Sequence, residues 1–115
     1  MTLGRMLEDT ASRMPRKCAI KFQKHKISYR QLNETVNKLA HGFRTLGLEK
    51  GDRVGILSEN CPEYIFSYFG ILKLGGIAVP INSFLTGNEV KYIANDCQIK
   101  VLIVSPKFLQ TVQPV

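Results

Sequence analysis

Gly70-x-x-x-x-Gly75, followed at once by Gly76, is the spacing in this 115-residue sequence that comes nearest to phosphate chemistry. A phosphate loop reads G-x-x-x-x-G-K-[ST], because backbone N–H groups wrap the phosphates, the lysine reaches them and the hydroxyl holds magnesium. Here Gly76 and Ile77 stand where the lysine and hydroxyl would be. The apolar pattern places the glycines after a helix and before a strand, whereas a phosphate loop runs strand, loop, helix. A helix C-terminus is the negative end of the dipole and repels phosphate. Gly75 and Gly76 therefore read as a helix stop, where the backbone takes positive φ at no steric cost. The dinucleotide pattern G-x-G-x-x-G is absent altogether.

The other reactive residue types are no better placed. Cys18, Cys61 and Cys97 are far apart, odd in number and without CxxC or Cys/His ligand spacing. They read as reduced, partly buried thiols of a cytoplasmic protein, with no metal and no disulfide framework. His25 sits in a basic turn and His41 among the apolar positions of a helix, so neither is expected to catalyse.

The net charge of +7 is unevenly spread. Seven Lys/Arg (Arg13, Arg16, Lys17, Lys21, Lys24, Lys26 and Arg30) and no acid lie between Thr10 and Asn33, while residues 34–115 are nearly balanced. The expectation is a solvated hairpin whose acidic partners lie elsewhere in a larger protein. The alternative is a basic module for nucleic acid or an anionic membrane. Glu8 and Asp9 interrupt the N-terminus, which has no continuous apolar run and does not read as a secretory signal. Residues 64–81 are oily enough to raise the question of a membrane span, but Lys73, Gly75, Gly76 and Pro80 interrupt them.

The elements that must position any site follow from periodicity. Thr2 can cap a helix with Leu3, Met6, Leu7, Ala11 and Met14 along one face, stopped by Pro15. "KCAIKFQ" alternates, with Cys18, Ile20 and Phe22 toward a core, and turns at Lys24–His25 into a short strand over residues 26–28. "SYRQ" is a capping box for a helix bearing Leu32, Val36, Leu39, Ala40, Phe43 and Leu46, with Gly47 beyond its end. Strand 53–58 precedes a helix capped by Asn60 or Cys61 with Pro62 near its start. "GIAVPIN" is a strand, Thr86 and Glu89 can box the next helix, and "KVLIVS" is a further apolar strand. Apolar strands alternating with amphipathic helices give an α/β class, with a mostly parallel sheet and helices on both faces. The expected organisation is a single incomplete domain over 1–115: an N-terminal helix at 1–16, a hairpin at 17–28, βα units over 29–105 and the start of a helix at 106–115.

In this order the segments resemble the N-terminal part of the adenylate-forming enzymes, the acyl-CoA synthetase or AMP-binding family. "ISYRQL" corresponds to the family's first core motif and "LKLGGIAVPIN" to its second. "GDRVGILSENCPEYI" and "NEVKYIANDCQIKVLIVS" match the intervening and following blocks, so about residues 5–108 are covered. "PIN" and "NCPEY" look more like fatty-acyl-CoA or related ligases than peptide-synthetase adenylation domains.

The resemblance implies the N-terminal portion of the large domain of an acid–CoA ligase. That reaction has two steps: ATP and a carboxylate give an acyl-adenylate and pyrophosphate, then the CoA thiol displaces AMP. AMP is a far better leaving group than oxide, so activation comes first. ATP, CoA and Mg2+ are implied for the full-length enzyme, with a fatty acid as carboxylate and carnitine-like or aromatic acids as alternatives. The Ser/Thr/Gly-rich loop ending in Lys is not among these 115 residues, nor are the acidic ribose ligand and the C-terminal adenylation lysine. The expectation is that this chain alone is inactive, has no catalytic or metal residue and binds no cofactor tightly. The family's approach to CoA maps to Asn82, Ser83 and Lys107, whose ammonium suits a 3′-phosphate. Self-association through uncovered faces is the remaining expectation.

Overall fold

Pro15 and Thr2 delimit the first helix from outside. In the computed structural model, which describes residues 2–114, α1 runs Leu3–Arg13. The Thr2 hydroxyl accepts the Arg5 amide at 3.2 Å, and the helix ends one residue before the pre-proline Met14. Only part of its expected apolar face is covered. Leu7 and Ala11 are buried, whereas Leu3, Met6 and Met14 remain exposed because Gly4, not Leu3, makes the close approach to the body of the protein.

β1 (Cys18–Phe22) pairs antiparallel with β2 (His25–Ser28) as a separate two-stranded sheet. A register shift between Cys18 and Ile20 breaks strict alternation, so that Ala19 and Ile20 both pack inward. This corrects two expectations: Cys18 is exposed, not partly buried, and Phe22 is 36% exposed instead of facing a core. Ser28 then opens α2 (Tyr29–Thr45) with the full capping box: Gln31 N–H donates to the Ser28 hydroxyl and the Gln31 side chain accepts the Ser28 N–H. Leu32, Val36, Ala40 and Phe43 form the buried stripe, while Leu46 lies past the last covered turn and is exposed.

The second sheet is parallel, with β3 (Arg53–Leu57) between β4 (Ile77–Pro80) and β5 (Val101–Val104). Gly55 pairs with Val79 on one side and Leu102 on the other. Pro80 is tolerated because β4 is an edge strand, where a missing N–H breaks no ladder. Successive side chains of β3 serve opposite faces. Val54 and Ile56 pack with Phe43 of α2 and with Ile71 and Leu74 of α3 (Pro62–Leu74). Leu57 instead packs with Ile81 and with Val90 of α4 (Gly87–Asp96). Phe108 and Val112 join that second face from the 3-10 turn Pro106–Phe108 and α5 (Leu109–Val112). Helices therefore cover both faces.

α3 explains the oily run. It sits between the sheet, which takes Ile71 and Leu74, and a second cluster where Ile65, Phe66 and Phe69 meet Leu7, Leu32 and Val36. A helix packed on two sides is apolar nearly all round without touching lipid. No described helix is long and apolar enough to cross a membrane.

Candidate functional site at the carboxyl edge of the sheet

The two edges of the parallel sheet use their polar side chains differently. At the amino edge they are consumed by structure. Asp52 Oδ2 accepts the Glu49 amide at 2.7 Å and lies 3.1 Å from Lys100 Nζ, which also donates to the Gly47 carbonyl. The Glu49 amide, and then Lys100, hold the Asp52 carboxyl below its usual range. Arg53 Nη1 closes the same edge on the Cys97 carbonyl at 2.9 Å.

At the carboxyl edge the chain opens. After β3 it crosses to α3 on the Val54 face, and after β5 it turns to Phe108 and Val112 on the Leu57 face. Neighbouring strands whose connections depart to opposite faces leave a crevice between them, the position where open α/β sheets bind ligands. Here it measures about 340 Å³ and is lined by Ser58, Glu59, Cys61, Tyr64, Ser67 and Ser105. Ser58 Oγ lies 2.9 Å from the Glu59 carbonyl oxygen and 3.1 Å from its Oε1, and Cys61 Sγ is 3.7 Å from the same Oε1. The Ser105 hydroxyl, with Ser58 assisting, holds the Glu59 carboxyl below the ordinary carboxylate range. Burial, and to a smaller extent Tyr68, raises the Tyr64 phenol.

The Glu59 and Glu63 carboxylates make this lining unfavourable to an anion, and Ile56, Ile103, Val104 and Pro106 make much of the rest of it apolar. The helix start beside it repeats the message. Cys61 stands at the cap of α3 without a side-chain bond to the helix amides, Pro62 removes an N–H from the first turn, and Glu63 adds a negative charge there. At α4 the Glu89 carboxylate accepts the Thr86 N–H at 3.0 Å, and the Thr86 hydroxyl accepts the Glu89 N–H at 3.3 Å. The helix N-termini that follow β3 and β4 therefore each carry a carboxylate in the first turn, where the dipole favours negative charge. Among the described residues no group of three His, Cys, Asp or Glu is placed to hold a metal ion.

The three sequence-derived candidates lie along this edge but not together. Asn82 follows β4, and its Oδ1 accepts the Phe84 amide at 2.9 Å, an Asx turn that spends the side-chain oxygen locally. Ser83 is a half-buried turn residue beside it. Lys107 follows β5 on the other flank of β3, exposed, with Nζ 5.6 Å from the Phe108 ring centre. No hydrogen bond among the described residues joins Lys107 to Asn82 or Ser83. Sequence reasoning missed Ser58, Glu59 and Ser105. The readable signal was two apolar strands each leaving through a serine, "ILSE" and "IVSP", at positions a switch point would bring side by side.

The glycine spacing resolves into packing. A Cβ on Gly70 would come 3.2 Å from Phe43 Cε2 and 3.3 Å from Leu39 Cγ, so Gly70 lets α2 and α3 cross closely. Gly75 takes φ +88°, and the Gly75 and Gly76 amides return to the Leu72 and Ile71 carbonyls at 3.0 and 2.9 Å. That is a Schellman ending.

An open parallel sheet with helices on both faces and a crevice at its switch point is a doubly covered α/β architecture. The profile of the AMP-binding enzyme family matches residues 7–115, and the chain belongs to that family. It is similar to the crotonobetaine/carnitine–CoA ligase of Salmonella paratyphi A, with 40% identity over 111 residues, 92% of this chain and 22% of that protein. Among solved structures it superposes on the anthranilate–CoA ligase AuaEII bound to anthranoyl-AMP with a TM-score of 0.94 and 33% identity, covering 99% of this chain and 22% of the other. The N-terminal domain of FACL13 from Mycobacterium tuberculosis gives a TM-score of 0.95 at 33% identity, covering 100% and 30%. The chain thus corresponds to the N-terminal portion of an adenylate-forming acid–CoA ligase and spans 22% of the length of the curated relatives it matches.

Proposed function

We propose that this chain is the amino-terminal scaffold of an AMP-forming acid–CoA ligase, and that a fatty acid is the carboxylate its parent enzyme activates. The supporting observation is family membership across residues 7–115. In the parent, ATP, Mg2+ and CoA are required, and the adenylation chemistry belongs to segments outside these residues. By itself the chain catalyses nothing: its carboxyl-edge crevice is lined by Glu59 and flanked by Pro62 and Glu63, which suit no triphosphate. Its part is to build the sheet edge against which other segments close. Lys107, exposed and without a carboxylate partner among the described residues, is the side chain we assign to the CoA nucleotide, with Asn82 and Ser83 shaping the opposite flank.

The test is AMP formation by a polypeptide carrying this chain followed by the remainder of the ligase, with CoA and a panel of carboxylates. Fatty acids are expected to give the highest rate. Preference for carnitine or anthranilate would overturn the substrate and leave the ligase standing; no AMP with any acid would overturn both.

A further inference from the structure

We infer that the β1–β2 hairpin is a docking element for an anionic membrane surface, with Lys21, Lys24 and Lys26 as its principal contacts. The strand register sets Lys21 directly opposite Lys26. Like charges facing each other across an antiparallel pair oppose the pairing. Nothing in the fold requires them there, because residues 21–26 are all exposed.

Nor does an ion pair hold them. The ion pairs among the described residues join Arg13 to Asp9, Arg30 to Glu34, Lys73 to Glu8 and Lys100 to Asp52. Lys17, Lys21, Lys24 and Lys26 take part in none of them. Glu34 and Glu63 line a pocket with Lys26, so the one-sign field of the hairpin is centred on Lys21 and Lys24. Such a field is complementary to a surface of phosphate and carboxylate headgroups.

The neighbouring apolar groups decide which polyanion fits. Phe22 is 36% exposed between Lys21 and the turn. Leu3 and Met6 are exposed on α1, where an apolar groove of about 390 Å³ is lined by them together with Ile20 and Phe69. Lys26 lines a pocket with Phe22, and a cation beside an exposed apolar side chain suits the headgroup–acyl boundary. Single-stranded nucleic acid calls for base-stacking platforms, and the hairpin offers only Phe22 and His25, paired opposite each other; duplex DNA, which needs phosphate contacts alone, is the competitor the experiment must include. The inference does not depend on the ligase reading.

The experiment is co-flotation of the chain with phosphatidylcholine vesicles, with and without phosphatidylserine, at low and high salt. Binding is expected with phosphatidylserine alone, weakening with salt. The Lys21→Gln/Lys24→Gln/Lys26→Gln variant should bind about 100-fold more weakly. Its folding is checked by circular dichroism, and Lys21→Gln by itself should raise the thermal midpoint by relieving the repulsion. No binding to anionic vesicles, equal binding to neutral ones, or undiminished binding by the folded triple variant would overturn the proposal. So would tighter binding to duplex DNA than to the vesicles at equal salt, and an unchanged or lower midpoint for Lys21→Gln would remove the repulsion on which it rests.

Discussion

Lys73 Nζ lies 3.1 Å from Glu8 Oε1, joining the last turn of α3 to α1 through a side chain only 7% exposed. The same ammonium donates to Asn33 Oδ1 and Asn37 Oδ1 of α2, so its three protons find three acceptors on two other helices. Its stem fills the space beside Gly4, where a Cβ would approach Lys73 Cγ to 3.1 Å. Lys73→Ala removes both the packing and the shared donor, and should cost about 2 kcal/mol. Glu8→Ala should cost less than about 1 kcal/mol, because that carboxylate is 57% exposed. Urea unfolding of the two variants measures the difference; equal losses would contradict a Lys73-centred clamp.

Glycine substitutions should differ in sign by position. Gly75→Ala forces a side chain into φ +88° against Lys50 and should destabilise by about 1–2 kcal/mol. Gly55→Ala brings a Cβ to 2.9 Å from both Ile99 Cδ1 and Leu102 Cδ1, overpacking the sheet core by about 1–3 kcal/mol. Gly42 lies within α2 with nothing within 4 Å of a Cβ, so Gly42→Ala should stabilise by about 0.5–1 kcal/mol. Thermal unfolding of the three variants reads these signs directly.

Acid should weaken the fold through three carboxyls. Asp52, Glu59 and Glu89 are all lowered in the folded chain: by the Glu49 amide and Lys100, by Ser105 and Ser58, and by Thr86, respectively. A depressed folded value means that the unfolded chain binds more protons, so stability rises with pH across this range. The contribution is present above the ordinary values of 3.8 for Asp and 4.5 for Glu and is lost as pH falls through the lower folded values. The thermal midpoint should therefore drop in acid, and less steeply for Asp52→Asn. An Asp52→Asn midpoint that falls as steeply as the parent's would remove Asp52 from this account.

Within the full-length ligase, Lys107→Ala should raise the KM for CoA about tenfold, the worth of one charge-assisted contact. Carboxylate-dependent pyrophosphate exchange, which precedes CoA, should not change. A loss of exchange would place Lys107 in the adenylation half of the reaction or in folding instead.

Most of the architecture was legible because it rests on local rules. Ser28–Gln31 and Thr86–Glu89 announce helix starts by chemistry confined to four residues, and both boxes form as read. Gly75 announces a helix end in the same way. The family likeness was legible too, because it follows ordered blocks of sequence. What escaped was set by long-range geometry. The register shift at Cys18/Ile20 exposes Cys18, and the bare alternation of "KCAIKF" contains no sign of it. Lys73 read as a charge that interrupts an oily run, and its acceptors Glu8, Asn33 and Asn37 lie far away in sequence. Glu59 and Ser105 are neighbours only because β5 returns beside β3.

Pyrophosphate exchange by the isolated chain tests the central claim most directly, with ATP, Mg2+ and a panel of fatty, carnitine-like and aromatic acids. Circular dichroism on the same sample establishes that the chain is folded. A folded chain that exchanges no more label than a mock-purified control is the expected result. Carboxylate-dependent exchange above that control would contradict the reading of these residues as scaffold and place an adenylation site within them.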